Sequence, residues 1–120
     1  GILNNGEEEA KGNELTRETY QVLSALRPRI NFIGHVEGNH VFEGRADVVV
    51  CDGFVGNVLL KGAEGLARLV LSIIAREAKA ETDEAARNGL LAALLKLRAR
   101  VDYSEFGGAP LLGVNGVSLI

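Results

Sequence analysis

The sequence predicts an α/β fold: a mostly parallel sheet with flanking helices and a protruding αα-hairpin. Three observations carry this. Short β-rich runs alternate with stretches whose apolar residues recur every three or four positions, the pattern of strands joined through helices. The run Val48-Val49-Val50-Cys51 is apolar without a break, as in a strand buried on both faces of a parallel sheet. Two helical periods over residues 58–101 are joined only by Glu81-Thr82-Asp83, which predicts two helices folding back on each other.

Taken in order, residues 1–5 read as the end of a strand and Asn4-Asn5-Gly6 as a turn. Asn13 is a good N-cap for a helix over residues 14–26, whose apolar face is Leu15, Thr19, Val22, Leu23 and Leu26. Tyr20 falls at the wet edge of that face, and Pro28 closes the helix. Residues 30–34 predict the second strand, residues 41–44 a short turn or single helical turn, and residues 48–51 the third strand. Asp52-Gly53 is expected to stop that strand. Gly53 and Gly56 free the backbone for a tight turn, with Asn57 capping a helix over residues 58–80. A second helix is expected over residues 84–101 and a loop over 102–108. A glycine-punctuated pair of apolar runs over 109–117 supplies a final strand.

Composition narrows the function classes. The chain has 120 residues, 47% of them hydrophobic, so it is one domain or part of one with enough apolar content for a core. A formal charge of −3 leaves no basic surface for a nucleic-acid backbone. Cys51 is the single cysteine; lying in an apolar run, it reads as a buried thiol in a reducing compartment. No apolar window reaches a membrane span, and no secretory leader pattern is present. Apolar runs at both ends lead us to expect one segment of a larger sheet. The helical pair is too apolar to stand alone in water and should pack on more of the same chain, a second copy or a membrane surface.

The stretch around Asp52 is where chemistry is expected. Polar groups at a strand's carboxyl end, beside a helix amino terminus, lie where ligands gather in open α/β sheets, and free N–H groups there favour anions. The plain alternative is an ordinary strand-to-helix connection.

Four stretches are then read together: Leu3-Asn4-Asn5-Gly6-Glu7-Glu8-Glu9-Ala10-Lys11-Gly12, Ile30-Asn31-Phe32-Ile33-Gly34-His35-Val36-Glu37-Gly38, residues 46–61, and residues 103–116. In this order and spacing they strongly resemble the bacterial phosphate acyltransferase family of phospholipid synthesis, PlsX. The resemblance covers essentially the whole chain. It implies an enzyme that turns acyl–acyl-carrier-protein and inorganic phosphate into acyl phosphate and free carrier protein. It also implies an α/β/α sandwich like that of phosphate acetyltransferases and isocitrate/isopropylmalate-dehydrogenase-like enzymes, no metal and no organic cofactor. The family forms cytoplasmic homodimers that associate peripherally with the inner membrane face. Its chains are longer, and their amino-terminal glycine-rich motifs are absent here, which leads to the expectation of a fragment lacking that part.

With the resemblance in hand, Lys11, Asp52, Asn57 and Lys61 are the candidate catalytic residues. Lys11 or Lys61 would neutralise phosphate as a point charge, and Asp52 would orient a cation or accept a proton. Gly53, Gly56, Glu9, His35, Gly107, Gly108 and Asn115 are the candidate substrate- and phosphate-binding residues. Each also has a plainer reading: solvated surface charge for Lys11, Lys61 and Glu7 to Glu9, a loop histidine with a local hydrogen bond for His35, turn residues for the glycines and Asn115. His40 carries less weight than His35. Arg68, Arg76 and Arg87 on the helical hairpin would steer an acidic carrier protein, or else simply form its wet face. The leucines of residues 90–97 are expected first as dimer core, with the hairpin tip as a membrane contact. The competing function is a non-catalytic binding or assembly module that uses the hairpin for association. The shape of the turn over residues 52–57 discriminates the two: if its N–H groups are tied up by the protein's own carbonyls, no anion site remains there.

Overall fold

A computed structural model describes residues 1–101 and 108–119. They fall into two compact units, Gly1–Gly62 and Ala63–Ile120. Their elements are β1 (Ile2–Asn4), α1 (Glu14–Ala25), β2 (His35–Glu37), a 3-10 turn (His40–Glu43), α2 (Gly53–Ala80) and α3 (Glu84–Val101). The mixed helix-and-strand content and the parallel pairing agree with the α/β reading.

The first unit is built around β1. It pairs in parallel with β2, in the register Ile2↔His35, Leu3↔Val36 and Asn4↔Glu37. On its other side Ile2 forms a parallel bridge with Val50. The Leu3 N–H donates to the Val50 carbonyl at 2.9 Å, and the Val50 N–H donates to the Gly1 carbonyl at 2.9 Å. β1 is thus the middle of three parallel segments. That position buries Ile2 and Leu3, with Val36 and His35 beside them. α1 leans on this core through Tyr20, whose ring meets Phe32 edge-on at 5.5 Å and lies 4.8 Å from the His35 ring.

α1 starts where the sequence places it. The Asn13 carboxamide oxygen accepts from the Thr16 N–H at 2.9 Å, satisfying one of the N–H groups that a helix start leaves unpaired. Four expectations are corrected. The second strand is residues 35–37, not 30–34. Gly34 has φ of 96°, outside the extended region, so the regular strand starts at His35, although the Gly34 carbonyl already accepts from the Ile2 N–H at 2.9 Å.

The third strand shortens to the single bridge at Val50, and it is not buried on both faces. Val48 is 68% exposed and Cys51 is exposed, because among the described residues this run has a neighbour on one edge only. The glycine turn over residues 53–57 is absent. α2 begins at Gly53, so Gly53 and Gly56 lie in its opening turns and Asn57 is a helical residue, not a cap. Glycine inside a helix costs about 1 kcal/mol relative to alanine. At Gly56 a side chain would press on the Cys51 sulfur, which accounts for a glycine there.

In the second unit, Glu81-Thr82-Asp83 separates α2 from α3 as expected. The Asp83 carboxylate accepts from the Ala86 N–H at 2.8 Å and caps α3. One Glu81 oxygen takes the Thr82 and Asp83 N–H groups at 2.8 and 3.0 Å. The apolar side chains of the two helices remain largely exposed, Leu66, Leu69, Leu91 and Leu95 among them, while Ala78 is fully buried. The fourth correction falls at residues 109–117. In place of a strand in the parallel sheet, Pro110 and Leu119 form an antiparallel bridge, with the Leu111 N–H donating to the Ser118 carbonyl at 2.8 Å. Residues 112–116 turn between them. No helix among the described residues is long and apolar enough to cross a membrane.

Candidate functional site

Because the three segments of the first unit run in parallel, their carboxyl ends share one edge. Asn4 ends β1, Glu37 ends β2, and Cys51-Asp52 follows the bridge at Val50. A cleft of about 840 Å³ opens at that edge. Its polar end is formed by Asn4, Asn5, Gly12, Asn13 and Asp52. Its apolar walls come from α1, through Leu15 and Thr19, and from the opening turns of α2, through Phe54, Val55 and Val58. Phe54 is 80% exposed, so this wall is open to whatever enters.

The rim is shaped by the connection from β1 to α1. The Lys11 N–H donates to the Glu8 carbonyl at 3.0 Å, closing a turn. A side chain at Gly6 would meet the Lys11 stem, so the lysine chain lies across that glycine. Gly12 has φ of 93°, and a side chain there would overlap both the Asn4 carboxamide and the Thr16 hydroxyl. The Gly12 carbonyl accepts from the Arg17 guanidinium at 2.6 Å.

Asp52 takes a different role from the one expected of the stretch. Its carboxylate accepts from the Phe54 N–H at 3.0 Å and the Val55 N–H at 2.9 Å, and its carbonyl accepts from the Gly56 N–H at 3.0 Å. The expectation that residues 52–57 hold open amide hydrogens for an anion is therefore corrected. Three of those donors bond to Asp52, and a carboxylate already stands at the positive end of α2. Among the remaining candidates, Lys61 lies about 12 Å along α2 from Gly53 at 1.5 Å per residue. It is exposed and engaged in a contact of its own. Neither Lys61 nor Asn57 borders the cleft, whereas Lys11 directly precedes its rim residue Gly12.

The glutamates after β1 form a second constellation. Glu7 Oε1 receives Arg45 Nη1 at 2.8 Å and lies 3.1 Å from His40 Nδ1. Arg45 Nε also reaches Glu43 at 3.2 Å. His35 is buried in β2, with 6% of its surface exposed. Its Nδ1 lies 3.2 Å from the Glu8 carbonyl, a contact in which Nδ1–H is the donor. Glu7, His35, His40 and Arg45, with Tyr20 and Gly34, line a separate cleft of about 470 Å³. His35 thus sits in a strand, not in a loop, and its hydrogen bond reaches the β1–α1 connection rather than a local partner. Arg45 was missed entirely, since nothing in Gly44-Arg45-Ala46 marks it. Asn4 stands out in the sequence only as part of the Asn4-Asn5-Gly6 turn signal.

Of the other candidates, Glu9 is exposed and borders neither cleft. Gly108 and Asn115 belong to the second unit and are exposed, and Gly107 lies outside the described residues. Arg68 stands 3.8 Å from Glu64 one turn earlier on α2, Arg76 stands 3.4 Å from Glu77, and Arg87 is half-buried near the start of α3. Among the described residues, no group of three His, Cys, Asp or Glu side chains is placed to hold a metal ion.

A family model described as "Fatty acid synthesis protein" matches residues 1–120. The chain is 52% identical over its full length to a phosphate acyltransferase from Desulforamulus reducens, covering 35% of that protein. It is 50% identical to phosphate acyltransferases from Aliarcobacter butzleri and Trichlorobacter lovleyi, covering 35% and 34% of them. It spans about a third of the length of these curated relatives. A match from end to end, on a chain whose parallel strands and polar cleft fit an α/β enzyme, places this chain in the fatty acid synthesis protein family.

Proposed function

We propose that the protein carrying this segment is a phosphate acyltransferase. It transfers a fatty acyl group from acyl–acyl-carrier-protein to inorganic phosphate, giving acyl phosphate for phospholipid synthesis. The observation that carries this reading is the cleft at the carboxyl edge of the parallel segments, polar at one end and apolar along its walls, in a chain about half identical to phosphate acyltransferases. Phosphate is a hydrated anion and the acyl chain is apolar, so a cleft with both polar and apolar lining matches both substrates.

The chemistry requires few groups. A phosphate oxygen attacks the thioester carbonyl, negative charge builds on the carbonyl oxygen, and the carbon–sulfur bond breaks as the carrier's thiolate leaves and takes a proton. Lys11, at the rim, is the cation we assign to the phosphate, with Glu9 holding the lysine. Asp52 holds the start of α2 and with it the apolar wall. Lys61, Asn57, Gly53 and Gly56 then act through the shape of that helix. Loss of one donor to the developing oxyanion costs about 3–4 kcal/mol in such reactions.

The finer architecture is an α/β/α sandwich of the phosphate-acetyltransferase and isocitrate/isopropylmalate-dehydrogenase type, completed by more of the protein than these residues. The exposed apolar side chains of α2 and α3 support a homodimer interface or a peripheral contact with the cytoplasmic membrane face. Arg68, Arg76 and Arg87 would steer the acidic carrier protein.

The test uses the full-length protein. Phosphate-dependent release of thiol from acyl–acyl-carrier-protein, with acyl phosphate trapped by hydroxylamine, is the expected result. Thiol release that ignores phosphate would reject the assignment.

A further inference from the structure

Asn4 ends β1 at the polar end of the cleft. Its carboxamide lies over the α-carbon of Gly12, at the one place where a left-handed glycine leaves room for it. The Asn4 Nδ2 is buried and makes no hydrogen bond. An amide donor stripped of water and left unpaired is unfavourable, and such groups in native proteins call for an explanation. Here the donor belongs to a residue of the cleft wall, next to the turn that carries Lys11.

We propose that the Asn4 carboxamide is a binding residue that donates a hydrogen bond to a charged substrate oxygen, with Gly12 shaping the seat that presents it. The inference rests on the acyltransferase reading above and adds a residue to it. A phosphate oxygen and the oxyanion forming on the thioester carbonyl share the chemistry such a donor recognises. The two sources separate kinetically: a donor to phosphate acts mainly on the phosphate KM, whereas a donor to the oxyanion acts mainly on kcat.

The experiment compares the full-length wild type with Asn4→Asp, which keeps the shape but loses the donor, and with Asn4→Ala. Asn39→Ala, on an exposed turn with no side-chain bond at the cap, is the control. Rates are expressed per folded molecule. Both Asn4 variants are expected to lose between about tenfold and a thousandfold in kcat/KM for phosphate, in line with losses at single donors. Their thermal stabilisation by inorganic phosphate should shrink if phosphate is the acceptor. Stabilisation that persists while kcat falls would place the bond on the carbonyl oxygen. Wild-type kcat and KM per folded molecule in Asn4→Asp, even with lowered melting, would overturn the inference and leave Nδ2 a structural orphan. If the wild type itself shows no phosphate dependence, the acyltransferase reading fails instead.

Discussion

The Asp52 carboxylate holds the N–H of Val55 at 2.9 Å and that of Phe54 at 3.0 Å, so α2 begins at Gly53 with its own anion already seated. This one relationship moves the site. The expected anion seat on α2 is occupied by the protein, and the phosphate position proposed above lies instead at the β1–α1 connection. Asp52→Ala should destabilise the chain by about 1 kcal/mol, the usual cost of losing an N-cap. Asp52→Asn, which can still accept both hydrogen bonds, should cost less. Urea unfolding followed by circular dichroism measures both.

Gly12 is the backbone position with least tolerance at the rim. Its φ of 93° is strained for any L side chain, and a methyl there would overlap Asn4 and Thr16. Gly12→Ala should therefore destabilise by about 1–3 kcal/mol. Gly44, also left-handed at φ of 72° but with open space around it, should show a smaller loss on substitution by alanine. Chemical denaturation of the two variants side by side checks this order.

The Arg45–Glu7 pair is half-exposed on both sides, and pairs of that kind contribute about 0–1 kcal/mol. A double-mutant cycle with Arg45→Ala and Glu7→Ala should return a coupling below about 1 kcal/mol, falling further in high salt. A larger coupling would mean that His40 and Glu43 act with Arg45 as a network.

Cys51 is exposed in the 120-residue chain. A neutral thiol reagent should label it in the native state at a rate close to that in urea. Strong native protection would restore the buried thiol inferred from the valine run.

How much of this was legible follows the physics of each signal. The α1 cap at Asn13 and the α3 cap at Asp83 were readable because local capping chemistry decides them. Gly53 and Gly56 misled because glycine signals freedom without saying how it is used. Here Asp52 caps a helix that tolerates both, and Gly56 gives room to the Cys51 sulfur. Residues 30–34 looked like a strand by apolar content, but the regular ladder starts after the positive-φ Gly34, and only register shows that. Burial of Val48 and Val50 was over-read, since burial depends on neighbours on both edges and faces, which a strand's own sequence does not contain. In the candidate site, the pairing of Glu7 with Arg45 joins side chains far apart in sequence and left no periodic trace. The family, in contrast, was legible in four motifs and agrees with the match over residues 1–120.

The most direct test of the central claim is a crystal of the full-length protein soaked with inorganic phosphate. The account predicts a phosphate at the polar end of the cleft, within hydrogen-bonding reach of the β1–α1 connection and of Lys11. A phosphate bound on the amide hydrogens of residues 53–56, with Asp52 displaced from them, or a cleft filled by the protein's own side chains, would contradict it.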